Sequence, residues 1–555
     1  MSRWVAFGCC LLIGCAGLRR GPPPKPGASP PRLAVLVSVD QLRADMPRRL
    51  LDRYGKGGFA RFFAQGVSYE SGAYAHSATE TAVGHATLST GALPKDHGIV
   101  GNEWSERGAR VYSVDDYTQP LLGASGHGKS PHKLLAETIG EVLVEAHPSA
   151  LVRGVAGKER ASVLMTGRKG VAYWLDNGAG SFVTSRFYAV TAPGWVSAFA
   201  ADRPAEEYRT EPWKLLQSPA RYVAADDHAW ELRGAGVLGN VFPHDFGEAT
   251  GARLVHALKS TPFGDTLTLR FVDRMLAKEP LGRDDVPDLL TIGLSSTDYV
   301  GHAFGPESRE AEDNLLRLDR LLADLFALLD ARVGLDRYFV VLSADHGSCE
   351  SPEHFAAQGL DAGRIDPAAL RAQVDAGLRV RFGIGVELVR DFVNPSLVLD
   401  EQRIASLSLS LPEVERAAAE IVKSAPGVET AYARTDLLAK HPPTGRFVER
   451  IVRSTHPERS GNVYVVPREH WLLATEPEHL TAMHGTPYAC DAAVPIMVWG
   501  TRAMPQLVRR AVDPRDIAPT IASLLQLRPP RESTGKPLKE AIDPGPSAPQ
   551  TQAPK

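Results

Sequence analysis

The sequence predicts an α/β fold with a mainly parallel central sheet and an inserted lobe, and three observations carry that expectation. Near-continuous apolar runs recur at wide spacing: RLAVLVSVD (Arg32 to Asp40), DLLTIGLSSTD (Asp288 to Asp298), YFVVLSADHG (Tyr338 to Gly347) and VPIMVWG (Val494 to Gly500). Such runs suit strands covered by helices on both faces, the usual condition of parallel strands. Amphipathic segments at helical spacing lie between them, notably Ala311 to Leu329 and Asp516 to Leu525. In the first three runs a carboxylate follows the apolar stretch, and open α/β sheets bind ligands at the carboxyl ends of their strands. Three acids placed there from distant segments point to one shared site.

The chain begins MSRWVAFGCCLLIGCAGLRRGPPPKPGASPPR. Arg3 supplies a positive start, and Val5 to Ile13 is an apolar stretch too short to span a bilayer comfortably, which fits a secretory signal. Leu12-Ile13-Gly14-Cys15 resembles a bacterial lipobox, in which cleavage precedes the cysteine and the thiol is lipidated; an ordinary signal peptide that contains cysteines is the alternative. A Pro-rich tether follows. The organisation expected is a signal over 1–15, a tether over 16–32, a catalytic core over 33–350, an inserted cap-like lobe over 351–480 that includes a helical stretch from Ile404 to Ala425, the rest of the core over 481–540, and a disordered polar tail over 541–555. The mature protein is expected in the bacterial cell envelope, as a periplasmic or surface-exposed lipoprotein whose membrane contact is confined to a lipidated Cys15.

Composition bounds the rest. The 555 residues carry 62 Lys+Arg against 65 Asp+Glu, a net charge of −3, with 43% hydrophobic and 23% charged residues. That balance is ordinary for a globular chain and excludes a mostly disordered, collagen-like or polytopic membrane protein. It gives no support for nucleic-acid binding, which usually needs a basic face. A monomer is favoured, although nothing in the sequence fixes the oligomeric state. Of five cysteines, only Cys349 and Cys490 fall in the folded domain. An oxidising compartment makes a bridge between them possible, and two buried thiols are the alternative.

The chemistry-bearing residues sit at the expected strand ends. Asp40 follows the first strand. Asp298 and His302 form a D-x-x-x-H pair that one helical turn or a tight loop can bring to one metal. Asp345 and His346 are adjacent in SADHG, and His484 lies in MHGTPY. Each alone is weak, since an Asp at a strand end is often a helix cap. Together these three aspartates and three histidines match two zinc ions with open positions for an oxygen substrate. The segment Ala78 to Trp104 (ATETAVGHATLSTGALPKDHGIVGNEW) places Thr81 at the start of a short helix, where backbone N–H groups and the helix dipole favour negative charge. Thr81 is the candidate nucleophile, with a metal lowering its hydroxyl pKa.

These motifs, VSVDQLRAD, T-A-V-G-H followed by STG and HGIVGN, STDYVGH, SADHG and MHGTPY with VPI, resemble the alkaline phosphatase superfamily. The likeness is to the branch of secreted bacterial phosphomonoesterases with a threonine nucleophile (the PafA type), to which the nucleotide pyrophosphatase/phosphodiesterases are related; it runs from about Leu33 to Lys536. It implies an alkaline-phosphatase-like three-layer sandwich. It also implies Thr81 as nucleophile, with Thr79 a nearby decoy, and Asn102 as a phosphoryl-oxygen contact. One zinc would take Asp298, His302 and His484; the other would take Asp40, Asp345 and His346, with Thr81 reaching it. In GKERASVLMTGRKGVAYWLD, Lys158 and Arg160 resemble a K-x-R pair that grips a phosphomonoester dianion, with Glu159 between them facing away; a register using Arg168 and Lys169 is the alternative. The resemblance thus implies a zinc-dependent phosphomonoesterase acting through a phosphothreonine on small phosphate monoesters. A phosphodiesterase on the same scaffold is the alternative. A sulfatase is disfavoured because no C-x-P-x-R signature is present, and a non-catalytic binding protein is disfavoured by the intact ligand set.

Overall fold

The computed structural model describes residues 31–231, 237–474, 480–501 and 503–543. The signal and lipobox, most of the tether, and the tail from 544 onward lie outside the described residues.

Eleven strands form the central sheet. Its middle is Leu33–Val39, which pairs in parallel with Asp288–Leu294 on one side and Tyr338–Ser343 on the other. The parallel set continues through Val152–Ala156 and Val171–Asp176. Alternate residues of the first strand enter two different cores: Leu33, Val35, Val37 and Val39 pack on one face, Ala34 and Leu36 on the other. Burial on both faces explains why the run is apolar throughout rather than alternating. The long helix Arg309–Arg332 and the helix Pro262–Lys278 cover one face, and Ile139–Ala146 and Ile517–Leu524 cover the other. The protein is therefore a three-layer sandwich of helices, sheet and helices.

One strand runs against expectation. Ile496–Trp499, within the VPIMVWG run, is antiparallel to Tyr338–Ser343. The chain enters it from the loop carrying His484, which is fastened at the carboxyl end of Tyr338–Ser343 by the Gly347 N–H bond to Asp491 O and by the Cys349–Cys490 disulfide. A strand leaving that end can only run back down the sheet. Antiparallel pairs recur toward both sides, with Val67–Gly72 beside Ile496–Trp499 and Ser181–Ser185 beside Val171–Asp176, while the strand Gln506–Val512 at one edge is parallel to Val67–Gly72.

Between SADHG and the last core segment lies a four-stranded sheet of Val389–Val393, Ser396–Leu399, Val463–Pro467 and Val428–Ala433. It has a hydrophobic core of its own, built with Leu370, Val374, Leu378, Val414 and Ala418. The stretch expected as one helix from Ile404 to Ala425 is two, Glu401–Ser406 and Leu411–Lys423. Ser408 breaks it with a φ of 57°, and Pro412 opens the second helix.

Candidate active site

The site lies at the carboxyl ends of the three central parallel strands. Asp40 follows Leu33–Val39, Asp345 and His346 follow Tyr338–Ser343, and Asp298 lies in the first turn of Ser296–Phe304, the helix that leaves Asp288–Leu294. Asp298 and His302 stand one turn apart, with His302 Nε2 3.1 Å from Asp298 Oδ1. His484 Nε2 is 3.5 Å from the same oxygen, although 186 residues separate the two in the chain. His346 Nε2 lies 3.5 Å from Asp40 Oδ1 and 3.3 Å from Asp345 Oδ2. Donor atoms of Asp40, Asp345 and His346 come within 4.8 Å of one another, as do those of Asp298, His346 and His484. The stacked rings of His346 and His484, with centroids 3.5 Å apart, join the two groups. His302 joins through Asp298.

This donor set fits metal. Each of the three histidines has Nδ1 against a main-chain carbonyl: His302 at Ala482 O (2.7 Å), His346 at Gly347 O (3.0 Å) and His484 at Thr79 O (2.8 Å). A proton on Nδ1 leaves the Nε2 lone pair facing carboxylate, the arrangement of ligating histidines. Asp40 Oδ1 and Asp345 Oδ2 are buried and accept no hydrogen bond. Burial and the nearby Asp298 raise the Asp40 carboxyl above its usual range, and burial together with Asp40 raises Asp345 well above it. Burial acts the same way on Asp298, but His302 and Lys158 outweigh it and hold that carboxyl well below the usual range. Burial keeps His346 and His484 neutral. Buried acids in mutual repulsion, faced by imidazole lone pairs, are what a pair of divalent cations neutralises.

Thr81 is the first residue of the fully buried helix Thr81–Thr90. Its Oγ1 lies 3.4 Å from His346 Nε2 and accepts from Arg160 Nη2 at 3.4 Å. Gly84 permits the approach, since a Cβ there would fall 2.1 Å from Asp345 O. Thr79 faces elsewhere and donates to Thr486 O at 2.9 Å. Asn102 Oδ1 accepts Ala82 N–H at 2.9 Å, and Glu80 Oε2 accepts the main-chain N–H of Asn102 at 2.8 Å. The amide of Asn102 is thereby oriented with Nδ2 left to donate. Lys158 is 1% exposed, with Nζ 2.7 Å from Asp40 Oδ2 and paired also with Asp298. Arg168 binds Glu141 and the Ala136 carbonyl away from this cluster, and Lys169 is exposed. The Lys158/Arg160 register is therefore the one that meets Thr81.

Several residues in the site escaped the sequence reading. Gln41 donates to Asp298 and Asp345. Tyr112 accepts from Arg160 Nη1 at 3.0 Å and donates to Glu159. Glu159, expected to face away, thus braces the guanidinium, with its Oε1 3.7 Å from Arg160 Nη1. Asp491 accepts Thr486 N–H (2.9 Å) and Cys349 N–H (3.2 Å), joining the His484 loop to the one that follows His346. Gln41, Glu80 and Glu159 stand inside the motifs and were readable as polar neighbours of ligands; Tyr112 and Asp491 carried no such signal.

The type I phosphodiesterase/nucleotide pyrophosphatase family model matches residues 34–487. A protein named calcium-transporting ATPase from Myroides odoratus is 34% identical over 523 residues, covering 92% of this chain and 95% of that protein. The alkaline phosphatase PafA of Elizabethkingia meningoseptica is 32% identical over 98% of this chain and 99% of its own length. The crystal structure of wild-type PafA superposes with a TM-score of 0.87 at 31% identity, over 93% of this chain and 100% of that one. Murine ectonucleotide pyrophosphatase/phosphodiesterase 5, at 16% identity and a TM-score of 0.51, shares the fold.

Proposed function

The chain belongs to the type I phosphodiesterase/nucleotide pyrophosphatase family, in the PafA-type branch of the alkaline phosphatase superfamily, and from that membership we propose that it is an alkaline phosphatase that hydrolyses phosphate monoesters. The single observation that carries the reading is the convergence of Thr81, Arg160 and Lys158 on a cage of three aspartates and three histidines.

Asp298, His302 and His484 would hold one zinc ion, and Asp40, Asp345 and His346 a second that Thr81 also reaches. Bound there, the ions would lower the pKa of the Thr81 hydroxyl and neutralise charge on the entering and leaving oxygens. Thr81 Oγ attacks phosphorus in line; its bond to phosphorus forms as the ester P–O bond breaks, which gives a phosphothreonine and a free alcohol. Water then attacks the phosphothreonine and returns the hydroxyl and inorganic phosphate. Asn102 Nδ2, the Lys158 ammonium and the Arg160 guanidinium hold the non-bridging oxygens. Tyr112 and Glu159 keep Arg160 pointed at Thr81. Such fixed charges supply most of the acceleration, with no protein general base required.

Lys158 and Arg160 are the reason to favour monoesters. A monoester dianion places two negative charges where this pair stands, whereas a diester carries one and needs room for a second ester group. Among the described residues no helix is long and apolar enough to cross a membrane. Export, lipidation at Cys15, a monomeric state and a cap role for 351–480 belong to the same proposal.

The test is a paired rate measurement on a mono-aryl and a bis-aryl phosphate, with and without a zinc chelator. The monoester should turn over faster, and both rates should collapse on chelation. Thr81→Ala should remove most turnover while leaving the fold intact; a zinc-loaded variant with full activity would refute the nucleophile. Faster diester turnover, unaffected by neutralising Lys158 and Arg160, would select the phosphodiesterase.

A further inference from the structure

Gln41 adopts a backbone conformation that its side chain does not favour. It follows Asp40 with a φ of 68°, in the left-handed region. A non-glycine residue there costs about 1–2 kcal/mol, and glycine takes it freely. The residue is 1% exposed. Two contacts hold it. Its main-chain N–H donates to Asp345 Oδ1 at 3.2 Å, and its side-chain Nε2 donates to Asp298 Oδ1 at 3.2 Å. The side chain is seated because position 301 is glycine: a Cβ on Gly301 would fall 1.8 Å from Gln41 Oε1. A strained residue with both donors committed to ligand carboxylates marks a functional constraint.

We infer that Gln41 is a positioning residue that orients one carboxylate from each of the two metal-binding sets, Asp298 through its side chain and Asp345 through its main chain. The inference rests on the two-metal reading above. A donor on a carboxylate oxygen fixes the rotamer of that ligand, and losing such an outer partner commonly weakens metal binding about 10–100-fold. The two halves of the contact respond differently to substitution. Every variant keeps the main-chain donor to Asp345, and only the donor to Asp298 is lost. Removing the side chain should therefore weaken one site and spare the other.

The experiment is competition for zinc with a chromogenic chelator, on the full chain, for wild type, Gln41→Gly and Gln41→Met. The glycine variant relieves the backbone and removes the donor; the methionine variant keeps shape and strain and removes only the donor. Expected are two bound ions in each protein, one about 10–100-fold weaker in both variants, and the other unchanged. Thermal unfolding of zinc-free Gln41→Gly should be no lower than wild type. Wild-type affinity at both sites in both variants would overturn the inference, as would an equal loss at both sites, because the main-chain donor is common to all three proteins. A wild-type protein that takes up no zinc would instead overturn the two-metal reading, so the two failures are distinguishable.

Discussion

Asn102 has its Oδ1 fixed as the acceptor of Ala82 N–H at the start of the Thr81–Thr90 helix, so Nδ2 is the atom it would turn toward a phosphate under the proposed function. Glu80 makes that orientation stable. Its carboxylate is buried, accepts Asn102 N–H, and is pushed by burial up to about 7. Glu80→Ala should then lower kcat/KM about tenfold, and Asn102→Ala about 100-fold, the scale on which single donors to a transition-state oxyanion are felt. The double variant should show Glu80→Ala costing little once Asn102 is gone, since groups acting through one another are not additive. Glu80→Gln, which still presents a carbonyl oxygen, should recover most of the loss. Additive effects in steady-state kinetics on a mono-aryl phosphate would show that Glu80 acts elsewhere. Asp40, Asp298, Asp345 and the three histidines were legible as candidates because each stands in a compact motif, Asp40 and Asp345 directly after an apolar strand. Gln41 and Glu80 stand beside them in the same motifs, but their roles, like that of Tyr112, lie in what they touch: Gln41 reaches a residue 257 positions away, and no local pattern encodes that.

Among elements, two loops matter most, the one that follows His346 and the one that carries His484. Asp491 and the Cys349–Cys490 disulfide fasten them together across 141 residues. The same two cysteines were readable as a possible pair from their isolation in the folded domain; which loops they would join was not. Closing so long a loop restricts the unfolded chain strongly, so replacing both by alanine should cost about 2–5 kcal/mol in equilibrium denaturation; an unchanged midpoint would mean that Asp491 alone carries the join.

The helix bearing Asp298 and His302 depends likewise on Asp265, whose Oδ1 accepts Ser295 N–H (2.7 Å) and Ser296 N–H (3.1 Å) at its start. Burial pushes the Asp265 carboxyl from 3.8 up to about 7. The folded chain then keeps a proton that the unfolded chain loses, so stability falls as pH rises from about 4 to about 7 and stays lower above that. Asp265→Asn can keep both acceptor contacts without the charge. It should gain up to about 4 kcal/mol relative to wild type between pH 4 and pH 8. Denaturation curves that shift in parallel at the two pH values would count against it.

At the scale of the whole molecule, the parallel core was legible because burial on both faces leaves a continuous apolar run, as in Leu33–Val39. The outer strands were not. Asp115–Leu122 alternates buried and exposed residues irregularly and pairs antiparallel at the edge, so its sequence carries no strong period. The segment between SADHG and the last core strand read as an interruption with one helical stretch, since its sheet and its core carry no motif. What unites these parts is the cage, whose side chains come from segments spread between Asp40 and His484. An unfolded chain offers no such cage, so under the proposed function zinc would bind the folded state alone and stabilise it by about 4 kcal/mol per site at a thousandfold excess over Kd. Removing zinc with a chelator should lower the melting temperature by several degrees, and the size of that drop should depend on pH in a definite direction. Asp298 raises His302 despite its burial, while burial raises Asp40 and Asp345, so in the zinc-free protein these groups keep protons to a higher pH than usual, in competition with zinc. Raising the pH removes the competing protons and strengthens binding. The melting shift between zinc-loaded and chelated protein should therefore be larger at pH 8.5 than at pH 6, measured by scanning calorimetry at equal ionic strength. A shift that shrinks as pH rises would mean that the buried acids are satisfied without metal, and that Lys158, bridging Asp40 and Asp298, is the cation this cage was built around.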